Sequence, residues 1–363
     1  MKKKSAVGNR VLAAFLATAM VGTYLPAIPA AAAGGDGEPA VLAQFTFDDA
    51  ETGFAGGNAV ANVNGTYELR DSMDAENGKA LYLNGNAANY LSVTDKNGGS
   101  LLAGKEEITL SYDEKPDQTG TNWAYYAAPT DGRQPLSGGE RYIGTFHNNG
   151  NIKLERYKNG RSDCVEESVG TDWAHIDIVY TENDTTLYGI KRDTVANVNK
   201  LTDILGDTGI FYIGRANWVN GEGYKGWIDN FTVYDGALTD EDLIDEESAK
   251  AAVAADKEKL TLPESVKADF TLPSKGSSYS DITWTVSDND AAVIGEDGYT
   301  VAVTRPEGED VTVTFTAEIS VGSVTETKKF TVVVEKVLTE ADYLDAAKKQ
   351  LELVNPDDVR GNI

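Results

Sequence analysis

The sequence predicts an all-β protein: a large β-sandwich, a helical linker and a smaller β-sandwich, in that order along 363 residues. Three observations carry this reading. Short runs of β-branched and aromatic residues, separated by Gly, Asn and Asp, recur across residues 41–234 with no long helical periodicity among them. Over residues 239–259 the composition turns to Ala, Lys, Glu and Asp, which favours helix. Two strongly alternating runs follow, Val311-Thr312-Val313-Thr314-Phe315 and Phe330-Thr331-Val332-Val333-Val334.

The chain opens on an address rather than on fold. Lys2, Lys3, Lys4 and Arg10 form a basic start, residues 11–25 an apolar stretch, and Ala30 to Ala33 a run of small residues suited to signal peptidase. Residues 1–33 are therefore expected to be a cleaved signal peptide. An uncleaved anchor is the rival, and Gly22, Pro26 and Pro29 ahead of the alanines favour cleavage. No later segment is apolar enough to span a bilayer, so the expected setting is secreted or cell-surface, and bacterial. Removing four basic and no acidic residues takes the net charge from −26 to −30. Such a surface repels phosphate backbones, which argues against a nucleic-acid partner, and offers many carboxylates to calcium. The single cysteine, Cys164, cannot form an internal disulfide, so the fold must rest on packed β cores.

Within residues 34–238, Ala43, Phe45 and Phe47 alternate as a first strand. Tyr82, Tyr90-Leu91-Ser92-Val93, Ile108-Thr109-Leu110, Ile143-Gly144-Thr145-Phe146 and residues 152–157, 173–180 and 210–213 read as further strands. Many short strands with turn signals indicate a sandwich or jelly roll. The closing stretch organises the rest. A glycine-rich loop holds Trp218, Asn220, Glu222 and Tyr224, and residues 227–234 form a strand with Phe231 and Val233 on one face and Thr232 and Tyr234 on the other. Asp235-Gly236 turns, and Thr239 ahead of Asp240, Glu241 and Asp242 starts a helix, marking a domain boundary.

This closing stretch, with ALTDEDL at residues 237–243, resembles the last strand of laminin-G-like (concanavalin A-like) jelly roll domains. ALYLNGNAANYLSV, EITLSY, NWAYYAAP, ERYIG, LERYKNGR, DWAHIDIVY and GIFYIGRANW follow the same order along the chain. They resemble above all the version attached to secreted family 43 glycoside hydrolases, the arabinan- and xylan-debranching group. Asp113-Glu114 and Gly189-Ile190-Lys191-Arg192-Asp193 depart from that pattern by placing charges where the family is β-rich.

Residues 239–259 read as a helical linker. In residues 260–336 a Leu272-Pro273 start, a strand with Thr283-Trp284-Thr285, an Asp- and Gly-bearing turn and Arg305-Pro306 resemble the bacterial "atrophied" immunoglobulin-like module. In residues 337–363 the beginning of that module recurs: Thr339-x-x-Asp342 repeats Thr239-x-x-Asp242 as a helix start. This stretch is expected to be the incomplete start of a second immunoglobulin-like repeat in a longer protein.

Three chemistries are weighed. In a jelly roll the first and last strands pair antiparallel, which brings Asp48-Asp49 beside Asp229. The resemblance implies a structural calcium there, and hard cations take such oxygen ligands; the alternative is a solvated turn at Asp48-Asp49 and a strand-capping Asp229. Asp288, Asp290 and Asp297 do not fit an EF-hand loop and read as turn residues. Saccharides are held by exposed aromatic rings with amide and carboxylate partners for their hydroxyls. The loop candidates are Trp123, Tyr125, Tyr126, Arg141, Arg156, Trp218, Glu222 and Tyr224. Against this stands packing, since tryptophans in a sandwich more often fill core or rim; that reading is given to Trp173, Trp227 and Trp284. Catalysis finds no support. The Glu-Asp-Glu strand of family 16 β-glucanases is absent, with His175 and Tyr180 standing where its acids would be, and two histidines and one cysteine give no zinc pattern.

The expected function is the non-catalytic, carbohydrate-binding and spacer portion of a secreted bacterial glycoside hydrolase of arabinan or xylan type, its partner a plant cell-wall polysaccharide. The alternative is a cell-surface adhesin or structural module with no enzyme attached.

Overall fold

The computed structural model describes residues 39–73, 78–117, 122–129, 141–148, 151–158, 161–168, 172–188, 192–196, 199–206, 208–217, 222–278, 280–287 and 290–353. The expected signal peptide, Trp218, Asn220, Asp288 and residues 354–363 lie outside them. The chain is mostly β and divides into two compact units, Met1–Ser248 and Ala249–Ile363. No helix among the described residues is long and apolar enough to cross a membrane.

The first unit is a sandwich of two sheets. One sheet runs Arg192–Ala196, Asp184–Tyr188, Ala174–Tyr180, Ile108–Pro116, Lys225–Asp235, Lys79–Asn84, Glu68–Asp71, with Ala40–Phe45 also against Lys225–Asp235. The other runs Arg161–Ser168, Asn151–Lys158, Arg141–Asn148, Asn122–Pro129, Thr208–Ile213, Tyr90–Asp95, Ala59–Asn64, Ala55–Gly56. First and last strands pair antiparallel as the sequence predicts, with Ala40 opposite Asp235 and Phe45 opposite Phe231. Strand periodicity sends alternate residues inward. Leu110 and Tyr112, Ile176, Ile178 and Tyr180, Leu91 and Val93, and Phe211 and Ile213 meet in one interior cluster.

Bulges interrupt that alternation, and two of them place residues used below. Between Asp229 and Thr232 the last strand carries one residue more than its partner, and Asn230 takes the extra place in the left-handed conformation (φ 49°). Ile228 and Phe231, three apart, are thereby both buried in the interior. A second bulge falls between Trp123 and Tyr125. It sends Ala124 and Tyr125 inward and leaves Trp123 and Tyr126 together in a separate outer cluster.

The Asp113-Glu114 departure from the family pattern is absorbed by partners on other strands. Glu114 points inward and is fully buried; its Oε1 lies 2.6 Å from Nε2 of His147, and Tyr224 donates to its Oε2 at 3.3 Å. Asp113 points outward, 2.7 Å from Nδ1 of His175, and accepts from Nδ2 of Asn230 at 2.8 Å. Buried carboxylates require such partners. Trp227 differs from its expected core placement. It is half-exposed on the outward face, packed edge-on to Tyr82 and flanked by Arg70 and Lys115.

The second unit is an immunoglobulin-like sandwich. Its larger sheet runs Ser265–Val266, Val324–Val334, Val311–Val321, Asp281–Val286; its smaller one runs Phe270–Thr271, Thr300–Val303, Ala292–Ile294. The two expected strands extend into a long hairpin because Gly322, at φ 54°, opens a two-residue turn between Val321 and Val324. Trp284 is buried as expected, and its Nε1 donates to the Pro273 carbonyl at 2.7 Å.

The helix expected as a linker, Glu246–Lys259, is part of this unit's packing. Ala249, Ala252, Val253 and Asp256 are buried, and Lys328 donates to the carbonyls of Lys257 and Leu260 at the helix end. Asp256 holds the loop beside it. Both carboxylate oxygens accept from Ser278 N at 3.0 Å, and Ser277 Oγ and Ser280 N donate as well. Asp256→Ala leaves buried amide groups without acceptors and is expected to cost this unit about 2 kcal/mol, read as a lower second transition in calorimetry while the first is unmoved. Thr339 and Asp342 form the same reciprocal cap seen at Thr239 and Asp242, and start the helix Glu340–Leu353.

Candidate carbohydrate-binding face

The outward face of the second sheet carries a continuous set of aromatic side chains. Tyr157 stacks on Tyr142, its cross-strand neighbour, at 5.1 Å and 9° between planes; Tyr142 stacks on Tyr126 at 5.1 Å. Tyr126 lies opposite Tyr212, which meets Tyr90 edge-on at 4.9 Å. Five tyrosines from five adjacent strands thus form a belt across the sheet. Trp123 joins beside it, stacked on Phe146 at 4.7 Å, and donates from Nε1 to Glu222 Oε2 at 2.5 Å. Tyr142 donates to Glu155 at 2.6 Å, and burial, then the Glu155 charge, push its phenol far above the usual range.

Exposure divides this belt. Tyr126 and Tyr142 are buried, while Tyr157, Tyr212 and Tyr90 are half-exposed. Around the Tyr90–Tyr212 end lies a polar row. Ser92 is the partner of both Tyr212 and Asn62, and Asn64 is the partner of Tyr90. The amides are already oriented: Asn64 Nδ2 donates to Ser92 Oγ at 3.1 Å and Asn62 Nδ2 to Thr94 Oγ1 at 3.3 Å. Arg215 lies over both rings, 4.7 Å from the Tyr90 centroid and 5.6 Å from that of Tyr212. Flat apolar surface beside amides and hydroxyls suits a pyranose or furanose ring, which has both kinds of surface.

The structure brings three of the sequence-predicted residues to this face: Trp123, Tyr126 and Glu222. Tyr125 and Tyr224 belong instead to the interior, fully buried, Tyr125 within 2.6 Å of the Tyr180 hydroxyl; neither ring is exposed for stacking. Arg141 donates to the Asp203 carbonyl. Arg156 is buried and holds four backbone carbonyls, those of Thr181, Asp184, Glu182 and Asn199, a structural task. Sequence reading by loops missed Tyr90, Tyr142, Tyr157, Tyr212, Arg215 and the Asn62–Asn64 pair. Strand alternation held the signal, since Tyr90 and Tyr212 flank the inward Leu91, Phe211 and Ile213.

The carboxylates expected to hold calcium differ among themselves. Asp49 folds back into its own turn, its two oxygens accepting from Glu51 N, Thr52 N and Thr52 Oγ1. Asp48 Oδ1 accepts from Lys79 N at 3.2 Å. Asp229 is buried, bonded by Ser72 Oγ and Asn230 N. Its carboxyl is pushed up to about 7 by burial, the two hydrogen bonds opposing and the nearby charges of Asp113 and Asp48 adding. No set of three or more His, Cys, Asp or Glu side chains among the described residues is placed to hold a metal ion.

On the same outward face of the first sheet, His175 is bracketed by Asp113 and by Asp177, 3.2 Å from its Nε2. Burial disfavours the charged ring, but the Asp177 charge and the hydrogen bonds to both acids outweigh it and raise its pKa well above the ordinary value.

Residues 84–244 match the family model described as concanavalin A-like lectin/glucanases superfamily, and residues 247–337 the one described as atrophied bacterial Ig domain. Among solved structures, domain 4 of AbnA, a GH43 extracellular arabinanase from Geobacillus stearothermophilus in complex with arabinotriose, is 20% identical over 56% of this chain and 95% of its own, with TM-score 0.39. The Ruminococcus gnavus IT-sialidase CBM40 bound to alpha2,6 sialyllactose is 15% identical over 39% of this chain and 82% of its own, with TM-score 0.31. The search of curated proteins gives no match.

Proposed function

We propose, for a chain that joins a concanavalin A-like domain to an atrophied bacterial immunoglobulin-like domain, that the first unit is a non-catalytic carbohydrate-binding module of an extracellular protein and the second a spacer. The observation that carries this reading is the half-exposed Tyr90–Tyr212 pair beside the oriented amides of Asn62 and Asn64. A polysaccharide of plant cell-wall type, arabinan or xylan, is the proposed ligand, and a debranching glycoside hydrolase the proposed parent. The same proposal confines calcium to Asp48 and Asp229, whose mutual repulsion a cation would relieve.

Retention of the full chain on insoluble arabinan or xylan is the expected result. Tyr90→Ala and Tyr212→Ala should each weaken it about tenfold, the loss of one stacking surface worth about 1–1.5 kcal/mol, with melting temperature little changed. Failure to bind any glycan on an array would overturn the reading and leave the unit a scaffold or adhesin module.

A further inference from the structure

Among the described residues, no acid answers the guanidinium of Arg215 on the outward face of the second sheet. Arg215 donates from Nε to the carbonyl of Ala216 at 2.8 Å and from Nη1 to that of Ala87 at 3.0 Å, both neutral acceptors. Its Nη2 makes no hydrogen bond, and no carboxylate pairs with it, among the described residues. The chain has 58 acidic residues against 32 basic ones. Arg70, which stacks on Tyr82 and Trp227 in the same manner on the other sheet, is paired with Glu68 at 2.9 Å.

The guanidinium is also held still. Gly214 before it sits at φ 89°, where a Cβ would collide with Leu83, and its N–H donates to the Ala124 carbonyl at 2.8 Å. Arg215 itself bridges to Gly223, and Tyr224 N donates back to the Gly214 carbonyl at 2.7 Å. The Tyr90 and Tyr212 ring centroids lie 4.7 and 5.6 Å from the guanidinium carbon, and two carbonyls tie Nε and Nη1. A planar donor fixed in this way loses little entropy when a carboxylate arrives.

We propose that Arg215 is the carboxylate receptor of a subsite for an acidic sugar, a uronic-acid residue of a polysaccharide, with the sugar ring against Tyr90 and Tyr212. Ser92 and Asn64 stand on the same face for its hydroxyls. The inference rests on the carbohydrate-binding reading of this face and adds a charge specificity to it. The overall negative charge of the chain opposes dense polyanions, so the fit is to isolated carboxylates along a neutral backbone.

The test is titration calorimetry of the full chain against a xylan bearing glucuronic-acid branches and against the same xylan with its carboxyls reduced to alcohols. The native polymer is expected to bind about tenfold more tightly, a charge-assisted hydrogen bond of about 1.4 kcal/mol. The gap should close in about 0.5 M salt. Arg215→Gln should bind both polymers as the wild type binds the reduced one. Equal wild-type affinity for the two polymers would overturn the inference while leaving carbohydrate binding in place, and this comparison needs no variant to fold. A gap that persists in Arg215→Gln would overturn it too, as would poly-L-glutamate binding as tightly as the native xylan, which would make the site a receptor for acidic peptide. Binding of neither polymer would overturn the carbohydrate reading itself.

Discussion

Replacement of Glu114 by alanine is expected to destabilise the first unit by about 3–5 kcal/mol, the largest effect of any single substitution considered for this protein. Glu114 is fully buried between the sheets, and His147, 1% exposed, has no other partner for its Nε2 among the described residues. Truncation leaves that nitrogen and the Tyr224 hydroxyl facing a cavity, so the desolvation of both groups adds to the lost packing. Tyr224 keeps one bond, to the Trp227 carbonyl at 3.2 Å, which bounds the loss. Glu114→Gln retains the shape and one acceptor and should cost about 1–2 kcal/mol. Calorimetry of the full chain separates the two units' transitions. The alanine variant should lower the first alone, and an unchanged first transition would mean that water replaces the pair.

In chelator, the stability of the first unit should fall as pH rises from about 4 to about 7, and Asp229→Asn should abolish that fall. The carboxyl of Asp229 is pushed up to about 7, chiefly by burial. The folded state therefore binds its proton more tightly than the unfolded chain does. Its contribution is fully present below the ordinary value of 3.8 and is lost as pH rises through 7. The rise from 3.8 to about 7 corresponds to at most about 4 kcal/mol. Asparagine mimics the protonated acid, so Asp229→Asn should be the more stable protein at pH 8. His175, raised by Asp177 and Asp113, loses its own contribution only above its ordinary value of 6.5; the difference between wild type and variant isolates Asp229. Millimolar calcium should restore the wild type at pH 8 and leave Asp229→Asn unmoved if Asp48 and Asp229 share the ion. A wild-type melting temperature indifferent to calcium at pH 8 would remove calcium from the proposal and leave the proton effect intact.

Much of the architecture was legible in the chain. The alternation at Ala43 and Phe45, at Leu91 and Val93, and at Phe231 and Val233 marks strands whose inward residues form one cluster, while Phe47 lies past the first strand in the left-handed conformation (φ 55°). The antiparallel pairing of first and last strands followed from the fold class and is seen at Ala40–Asp235. The candidate site was less legible. Trp123 and Tyr126 were named together, but their shared face depends on the bulge at Ala124, and Tyr125 between them points the other way. Tyr90, Tyr212 and Arg215 were passed over because they sit on or beside strands, where an aromatic reads as packing until the exposed side of the sheet is known.

Strands such as Tyr90–Asp95, Ala174–Tyr180 and Lys225–Asp235 are written in the local sequence, because alternation, Gly, Asn and Asp act within a few residues. Only the tertiary structure decided which face each aromatic occupies and which partner answers each buried charge. One extra residue in a strand inverts every side chain beyond it. The partners of Glu114 and Asp113 lie 33 and 62 residues away, on strands whose adjacency no local signal encodes. The helix Glu246–Lys259 belongs to the second unit for the same reason: its composition allows a free linker, and Asp256 joins it to that unit through a loop more than 20 residues on.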